Sequence, residues 1–65
     1  MIPHSRYTIE IWWSEEDNCF LGSAPKLKNC VVHGLSRRRV LARLELAIEE
    51  WLISAKQEGW EIPEP

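Results

Sequence analysis

Residues 36–59 read SRRRVLARLELAIEEWLISAKQEG, and they contain the strongest structural signal in the chain. Apolar side chains recur in this stretch at the i, i+3, i+4 and i+7 positions that share one face of an α-helix. Ser36 is a good N-terminal cap, and Gly59 stands where a left-handed C-terminal cap belongs. The pattern predicts one helix from about Arg37 to Glu58. The side chains expected to face a sheet are Val40, Leu44, Ile48, Trp51 and Ala55.

The residues before this helix predict a β-hairpin. From Arg6 to Trp13, aromatic and β-branched residues alternate with polar ones, which is the pattern of a half-buried strand. Residues 14–18 are polar and tolerate turn geometry, and Cys19–Ala24 then predicts a second strand. Pro25 ends this strand because proline has no N–H to donate to a β-ladder.

Two shorter strands complete the predicted sheet. Asn29 suits a left-handed turn position, and residues 31–33 after it predict a third strand. Residues 60–62, after the helix, predict a short last strand. The predicted fold is therefore α+β with the order β-β-β-α-β, in a single domain that spans residues 1–65. One long helix lying across a small, mainly antiparallel sheet is the simplest way to bury the apolar helix face.

The composition limits the classes of function. Sixty-five residues make one domain, and the net charge of −2 comes from 8 basic and 10 acidic residues. A free-standing nucleic-acid-binding protein normally carries a strongly basic balance. The apolar runs are far shorter than the roughly 20 residues that span a bilayer, and the chain opens without the pattern of a signal peptide. We therefore expect a cytoplasmic protein without a membrane segment.

The cysteines and histidines predict neither a metal site nor a cofactor. Cys19 and Cys30 are eleven positions apart, and neither His4 nor His33 has a ligand spacing relative to them. In a cytoplasmic protein the expected state of both cysteines is the reduced thiol.

No catalytic set is recognisable in the sequence. Glu15, Glu16 and Asp17 are adjacent carboxylates, but they stand in a polar stretch that predicts a solvated turn. His33 is a candidate general base that has neither a nucleophile nor an orienting carboxylate at a recognisable spacing. The sequence therefore predicts a protein that acts by binding rather than an enzyme.

Four arginines occupy the first two turns of the predicted helix, namely Arg37, Arg38, Arg39 and Arg43. The positive end of the helix macrodipole disfavours a cation there by about 0.3–1 kcal/mol. One interpretation is a contact with an acidic partner or with nucleic-acid phosphate, for which Arg37 and Arg38 are the candidates. The other is that arginine is a good helix former on an exposed face. The sequence alone leaves both open.

A second feature lies on the opposite side of the helix from its apolar face. At 100° per residue, Leu46 and Ile53 fall on one line, and Arg39, Arg43 and Glu50 flank them. Two apolar residues in register predict a contact surface, although single exposed leucines are common. The hydrophobic core of a domain of this length is small, and association is a common way to add stability. We therefore expect a homodimer, or a tetramer built from two dimers. The contact would use this helix face or an edge strand.

Several short motifs follow one another along the chain. They are Tyr7-x-Ile9-x-Ile11, Glu15-Glu16-Asp17-Asn18, Pro25-x-Leu27-x-Asn29-Cys30, Gly34-x-Ser36, Ala47-Ile48-x-x-Trp51-Leu52 and Gly59-x-x-Ile62-Pro63-x-Pro65. In this order and spacing, they make the chain from Tyr7 onward resemble the HicB-like antitoxin domain. The terminal Gly-x-x-Ile-Pro-x-Pro motif is the most specific of them.

The resemblance implies a fold like half of a ribonuclease H domain without its active site, with the last strand returning beside the first. It also implies that the chain binds and neutralises a small HicA-like toxin that cleaves messenger RNA. Two departures stand out. Arg37-Arg38-Arg39-Val40 replaces the acidic residues and alanine of the family, and the sequence stops at Pro65, where many members begin a DNA-binding segment. Direct DNA binding is therefore not expected.

Three functions remain open at this point. The first is an antitoxin-like protein that acts by protein–protein contact. The second is an orphan self-associating module that has no toxin partner. The third is a nucleic-acid-binding module that uses Arg37, Arg38, Arg39 and Arg43. A neighbouring gene for a small basic protein favours the first and its absence favours the second, whereas salt-sensitive retention of RNA or DNA favours the third.

Overall fold

A computed structural model describes residues 7–64, which form three strands followed by one helix. The elements are β1 (Glu10–Ser14), β2 (Cys19–Ser23), β3 (Val31–Gly34) and α1 (Arg37–Glu58). The strands lie in the order β1-β2-β3, and both neighbouring pairs are antiparallel. The predicted α+β class, with one long helix on a small antiparallel sheet, is confirmed. Arg6, the predicted start of the first strand, lies outside the described residues.

The two caps set the ends of α1. Ser36 has extended backbone angles, and its hydroxyl oxygen accepts a hydrogen bond of 3.2 Å from the backbone N–H of Arg39. Gly59 is left-handed, with a φ of 75°, and its backbone N–H donates to the carbonyl oxygen of Ala55. These contacts satisfy backbone groups that a helix end otherwise leaves unpaired. The predicted bounds of the helix are confirmed.

The helix packs on the sheet through a small set of fully buried side chains. Val40, Leu44, Ile48 and Ala55 face inward as predicted and are essentially inaccessible to solvent. Gly22 of β2 makes the closest approach, since a Cβ atom placed on it would lie 2.5 Å from Cγ1 of Val40. The absence of a side chain at this position lets α1 lie directly on β2.

Residues 24–30 form a tight loop that completes the core at one end of the sheet. Ala24 donates its backbone N–H to Cys30 at 3.1 Å, and Leu27 donates to Ala24 at 2.9 Å. Leu27 is almost completely buried. Asn29 adopts a φ of 63°, as the sequence predicted for a left-handed turn position. This loop therefore packs as part of the core.

The strand predicted at residues 60–62 is not formed, which corrects the predicted order to β-β-β-α within residues 7–64. Residues 60–64 fold back toward the start of the described chain. The Tyr7 hydroxyl donates to the carbonyl oxygen of Pro63 at 2.7 Å, and Lys26 Nζ donates to that of Glu64 at 3.3 Å. Side chains therefore hold this tail, and Pro63 has no N–H to offer a neighbouring strand. Within residues 7–64 no helix has both the length and the apolar character needed to cross a membrane.

Candidate interaction surfaces

The outer helix face consists of Arg39, Arg43, Leu46, Glu50 and Ile53, and all five side chains are exposed. Leu46 is 62% exposed and Ile53 is 51% exposed, which is high for large apolar residues. They point away from the sheet because the opposite side of α1 supplies the buried contacts. The placement predicted from helical periodicity is confirmed, whereas a role in binding stays a prediction.

Charge is unevenly distributed along α1. Its first two turns carry four arginines and no acidic residue, while the glutamates begin at Glu45. Glu45, Glu49, Glu50 and Glu58 all follow the last arginine, and Lys56 is the only cation among them. The outer helix face therefore has a basic half and an acidic half on either side of Leu46.

Arg37 makes a contact within the domain that the sequence did not predict. Its guanidinium carbon lies 5.3 Å from the centre of the Phe20 ring, and that ring packs edge-on against Trp13 at 5.0 Å. A cation–π contact at an exposed site contributes about 0.5–1 kcal/mol, which is similar in size to the macrodipole penalty. The Phe20 ring therefore offsets the cost of a cation in the first turn. Arg38 and Arg39 are exposed beside it.

The sheet has one face that α1 does not cover. A Cβ atom built on Gly22 would point toward the helix. The side chain of its neighbour Leu21 therefore lies on the other face, because successive residues of a strand alternate. Trp12 and His33 pair with Leu21 from either side and lie on that same face. The next row of this face contains Glu10, Ser23 and Val31. We call the set Glu10, Trp12, Leu21, Val31 and His33 the open sheet face.

Two large apolar side chains on the open sheet face are well exposed. Trp12 is 41% exposed and Val31 is 57% exposed. Sequence reasoning missed this surface, because the alternation in β1 places Trp12 and Trp13 on opposite faces without showing which face α1 packs against. The sequence feature that could have identified the covered face is Gly22. It is the only residue of β2 without a side chain, so a helix can approach the sheet most closely there.

The acidic turn between β1 and β2 is a hydrogen-bonded loop. The Ser14 hydroxyl donates to Asp17 Oδ2 at 3.0 Å, and the Asp17 backbone N–H donates back to the Ser14 oxygen at 3.2 Å. Glu15, Glu16 and Asp17 are all exposed, as predicted for a solvated turn. Across residues 7–64, no group of three or more histidine, cysteine, aspartate or glutamate side chains is arranged to hold a metal ion.

A groove of about 900 Å³ lies between the tail and the loop at residues 24–30. Trp51 and Trp60 pack at 5.7 Å between ring centres, and the indole N–H of Trp51 donates to the carbonyl oxygen of Lys28 at 2.9 Å. This hydrogen bond keeps the polar edge of Trp51 at the rim, so the ring is only half-buried. Lys26 and Lys28 also line the groove. The sequence indicated neither the groove nor the hydrogen bond.

Both cysteines are free and buried. Burial raises the pKa of the Cys30 thiol above its usual value of 9.0, and a backbone hydrogen bond with Ala24 offsets part of that rise. A thiol with a raised pKa is a poor nucleophile at neutral pH, because the thiolate is the reactive form. Cys30 therefore behaves as a small core residue.

Comparison with known proteins gave no match. No family model fits the chain, and no curated protein or solved structure is significantly similar to it. Membership of the HicB-like family therefore stays a prediction from the sequence motifs.

Proposed function

We propose that this chain is an antitoxin-like protein-binding module, which neutralises a small messenger-RNA-cleaving toxin by covering its surface. The observation that carries the proposal is Trp12, an exposed tryptophan at the middle of the edge strand β1, on a sheet face that α1 leaves uncovered. Tryptophan is among the residues that contribute most to the binding energy of protein interfaces. Leu21 on β2 and Val31 on β3 extend the apolar area from Trp12 across the same face.

The charges near Trp12 favour a basic partner. Glu10 lies on the same face, and the exposed carboxylates of Glu15, Glu16 and Asp17 follow directly after β1. Opposite charge on a partner accelerates encounter and fixes its orientation. A toxin that binds RNA carries a basic surface, and here it would meet acidic residues at both ends of β1, with Trp12 between them.

The fold is compatible with this role. In the proposal, the three strands and α1 correspond to most of a half ribonuclease H fold, and residues 60–64 replace the last strand. The binding module carries no catalytic role of its own. Purified chain is therefore expected to leave RNA intact, and metal-dependent cleavage that disappears in Asp17→Asn would contradict the proposal.

The test uses the product of a small basic neighbouring gene as the probe. Co-expression with the wild-type chain should restore the growth of cells that this product arrests, and the two proteins should co-purify. Trp12→Ala should abolish both effects. The matched control is Trp13→Ala, because Trp13 is 43% exposed, much like Trp12, but lies on the helix side of the sheet.

Three results would contradict the proposal. The first is the lack of any such neighbouring gene, which favours the orphan self-associating module. The second is neutralisation that survives Trp12→Ala and is lost in Trp13→Ala. The third is salt-sensitive retention of RNA that requires Arg38 and Arg39, which favours the nucleic-acid-binding module.

A further inference from the structure

We propose that two copies of this chain pair through their outer helix faces, with the two α1 helices antiparallel and a two-fold axis passing beside Leu46. This inference goes beyond the proposed function, because it concerns a surface on the opposite side of the domain from the open sheet face. It needs no toxin partner.

The polarity of charge along α1 selects the antiparallel direction. The four arginines precede Leu46, and Glu49 and Glu50 follow it. Parallel helices would bring the two arginine-rich halves together and place Arg39 against Arg39 of the second copy. Antiparallel helices place the basic half of each copy against the acidic half of the other. Like charges in contact oppose association and opposite charges favour it.

Helical geometry then sets the register. Measured from Leu46, Arg43 lies about 4.5 Å toward the N-terminus and Glu50 about 6 Å toward the C-terminus, at 1.5 Å per residue. At 100° per residue both lie on the same side of Leu46, about 60° and about 40° away. A two-fold axis beside Leu46 therefore brings Arg43 of one copy next to Glu50 of the other. The symmetry makes this pair twice.

The apolar side chains fit the same register. Leu46 meets Leu46 of the second copy at the centre. Ile53 meets the aliphatic stem of Arg39 of the second copy, since both lie seven residues from Leu46. Arginine stems commonly cover apolar surface while the charged head stays in water. The exposed Leu46 and Ile53 are thereby both covered.

A competing antiparallel register is disfavoured by the same charges. Centring the axis between residues 49 and 50 would pair Leu46 with Ile53 of the second copy. It would also bring the two Glu50 carboxylates together, and Arg43 would lose its partner. The register centred on Leu46 is the one that combines an apolar centre with opposite charges at its rim.

Charge reversal tests the direction and the register together. Arg43→Glu alone places two carboxylates together at both symmetric positions, and Glu50→Arg alone does the same with two cations. Each variant should therefore associate at least about tenfold more weakly than wild type. An equal mixture of the two variants should recover association as a heterodimer, because its Arg43–Glu50 positions again carry opposite charges. Arg38→Glu is the matched control, since Arg38 is an exposed arginine of α1 away from the outer helix face.

Sedimentation velocity, with circular dichroism to show that each variant is folded, gives the readout. Leu46→Glu should also dissociate the dimer. The proposal is overturned by a wild-type chain that stays monomeric at millimolar concentration. It is equally overturned if the single reversals associate like wild type, or if folded variants fail to recover association on mixing.

Discussion

Gly22 of β2 lies so close to Val40 of α1 that a Cβ atom on the glycine would be 2.5 Å from Cγ1 of the valine. Real Cβ atoms essentially never approach a neighbour at that distance. The contact sets the separation between helix and sheet, and it fixes which face of the sheet is covered. It therefore determines that Trp12 is on the open sheet face.

Gly22→Ala should destabilise the fold by about 1–3 kcal/mol, the usual cost of forcing extra atoms into a packed core. Urea unfolding followed by far-UV circular dichroism measures the change. Adding Val40→Ala to the same chain should recover part of the loss, because it removes the atoms that the new methyl group meets. A Gly22→Ala chain as stable as wild type would show that this contact does not set the spacing.

Ser36→Ala should lower the free energy of unfolding by about 0.5–2 kcal/mol, since it removes the side-chain oxygen that accepts from the Arg39 N–H. Urea titration measures the loss. Ser54→Ala serves as the control, because Ser54 lies inside α1, where alanine is the better helix former. Equal losses in the two variants would argue against a capping role for Ser36.

Tyr7→Phe should cost about 0.5–1.5 kcal/mol, because it removes only the hydroxyl that donates to Pro63. The effect should concentrate in the tail, so the Trp60 amide, which donates to the carbonyl oxygen of Ala55, should exchange faster while amides inside α1 change less. Uniform acceleration across the domain would mean that the hydroxyl stabilises the core rather than the tail.

Cys30 should be slow to alkylate in the folded chain. Burial raises its pKa above 9.0, so at about pH 8.5 the folded state holds less thiolate than the unfolded state. In Cys19→Ser, where Cys30 is the remaining thiol, iodoacetamide should react at least about tenfold more slowly without urea than with it. Equal rates in the two conditions would show that Cys30 is accessible.

The raised pKa of Cys30 also determines whether the stability of the fold rises or falls with pH. The contribution of Cys30 is complete below its unfolded pKa and is lost as the pH rises through its folded pKa, because the unfolded state then releases the proton first. Between about pH 8 and about pH 10, the free energy of unfolding should therefore fall less in Cys30→Ser than in the wild-type chain.

The helix could be predicted to the residue because its signals are local. Ser36 and Gly59 are caps whose effect depends on their immediate neighbours, and the apolar periodicity lies between them. The hairpin and the left-handed Asn29 were predictable for the same reason. The outer helix face followed directly from 3.6 residues per turn.

The features that depend on distant residues could not be predicted. Alternation in β1 assigns Trp12 and Trp13 to opposite faces, but the covered face is chosen by the contact between Gly22 and Val40. Phe20 likewise gives Arg37 a partner that is distant in sequence. The prediction of a last strand was wrong because the side chains of Tyr7 and Lys26, rather than the edge of the sheet, hold residues 60–64.

The hydrogen bond from Tyr7 to Pro63 joins residues 56 positions apart, whereas the strands pair only with their neighbours along the chain, β1 with β2 and β2 with β3. Short-range pairing closes small loops and gives a low contact order, which is associated with fast folding. We therefore expect the hairpin and α1 to assemble early and the tail to close over the loop at residues 24–30 last. We thus expect the tail to need less free energy to open than any other part of residues 7–64. It should detach and reclose many times before the sheet itself unfolds.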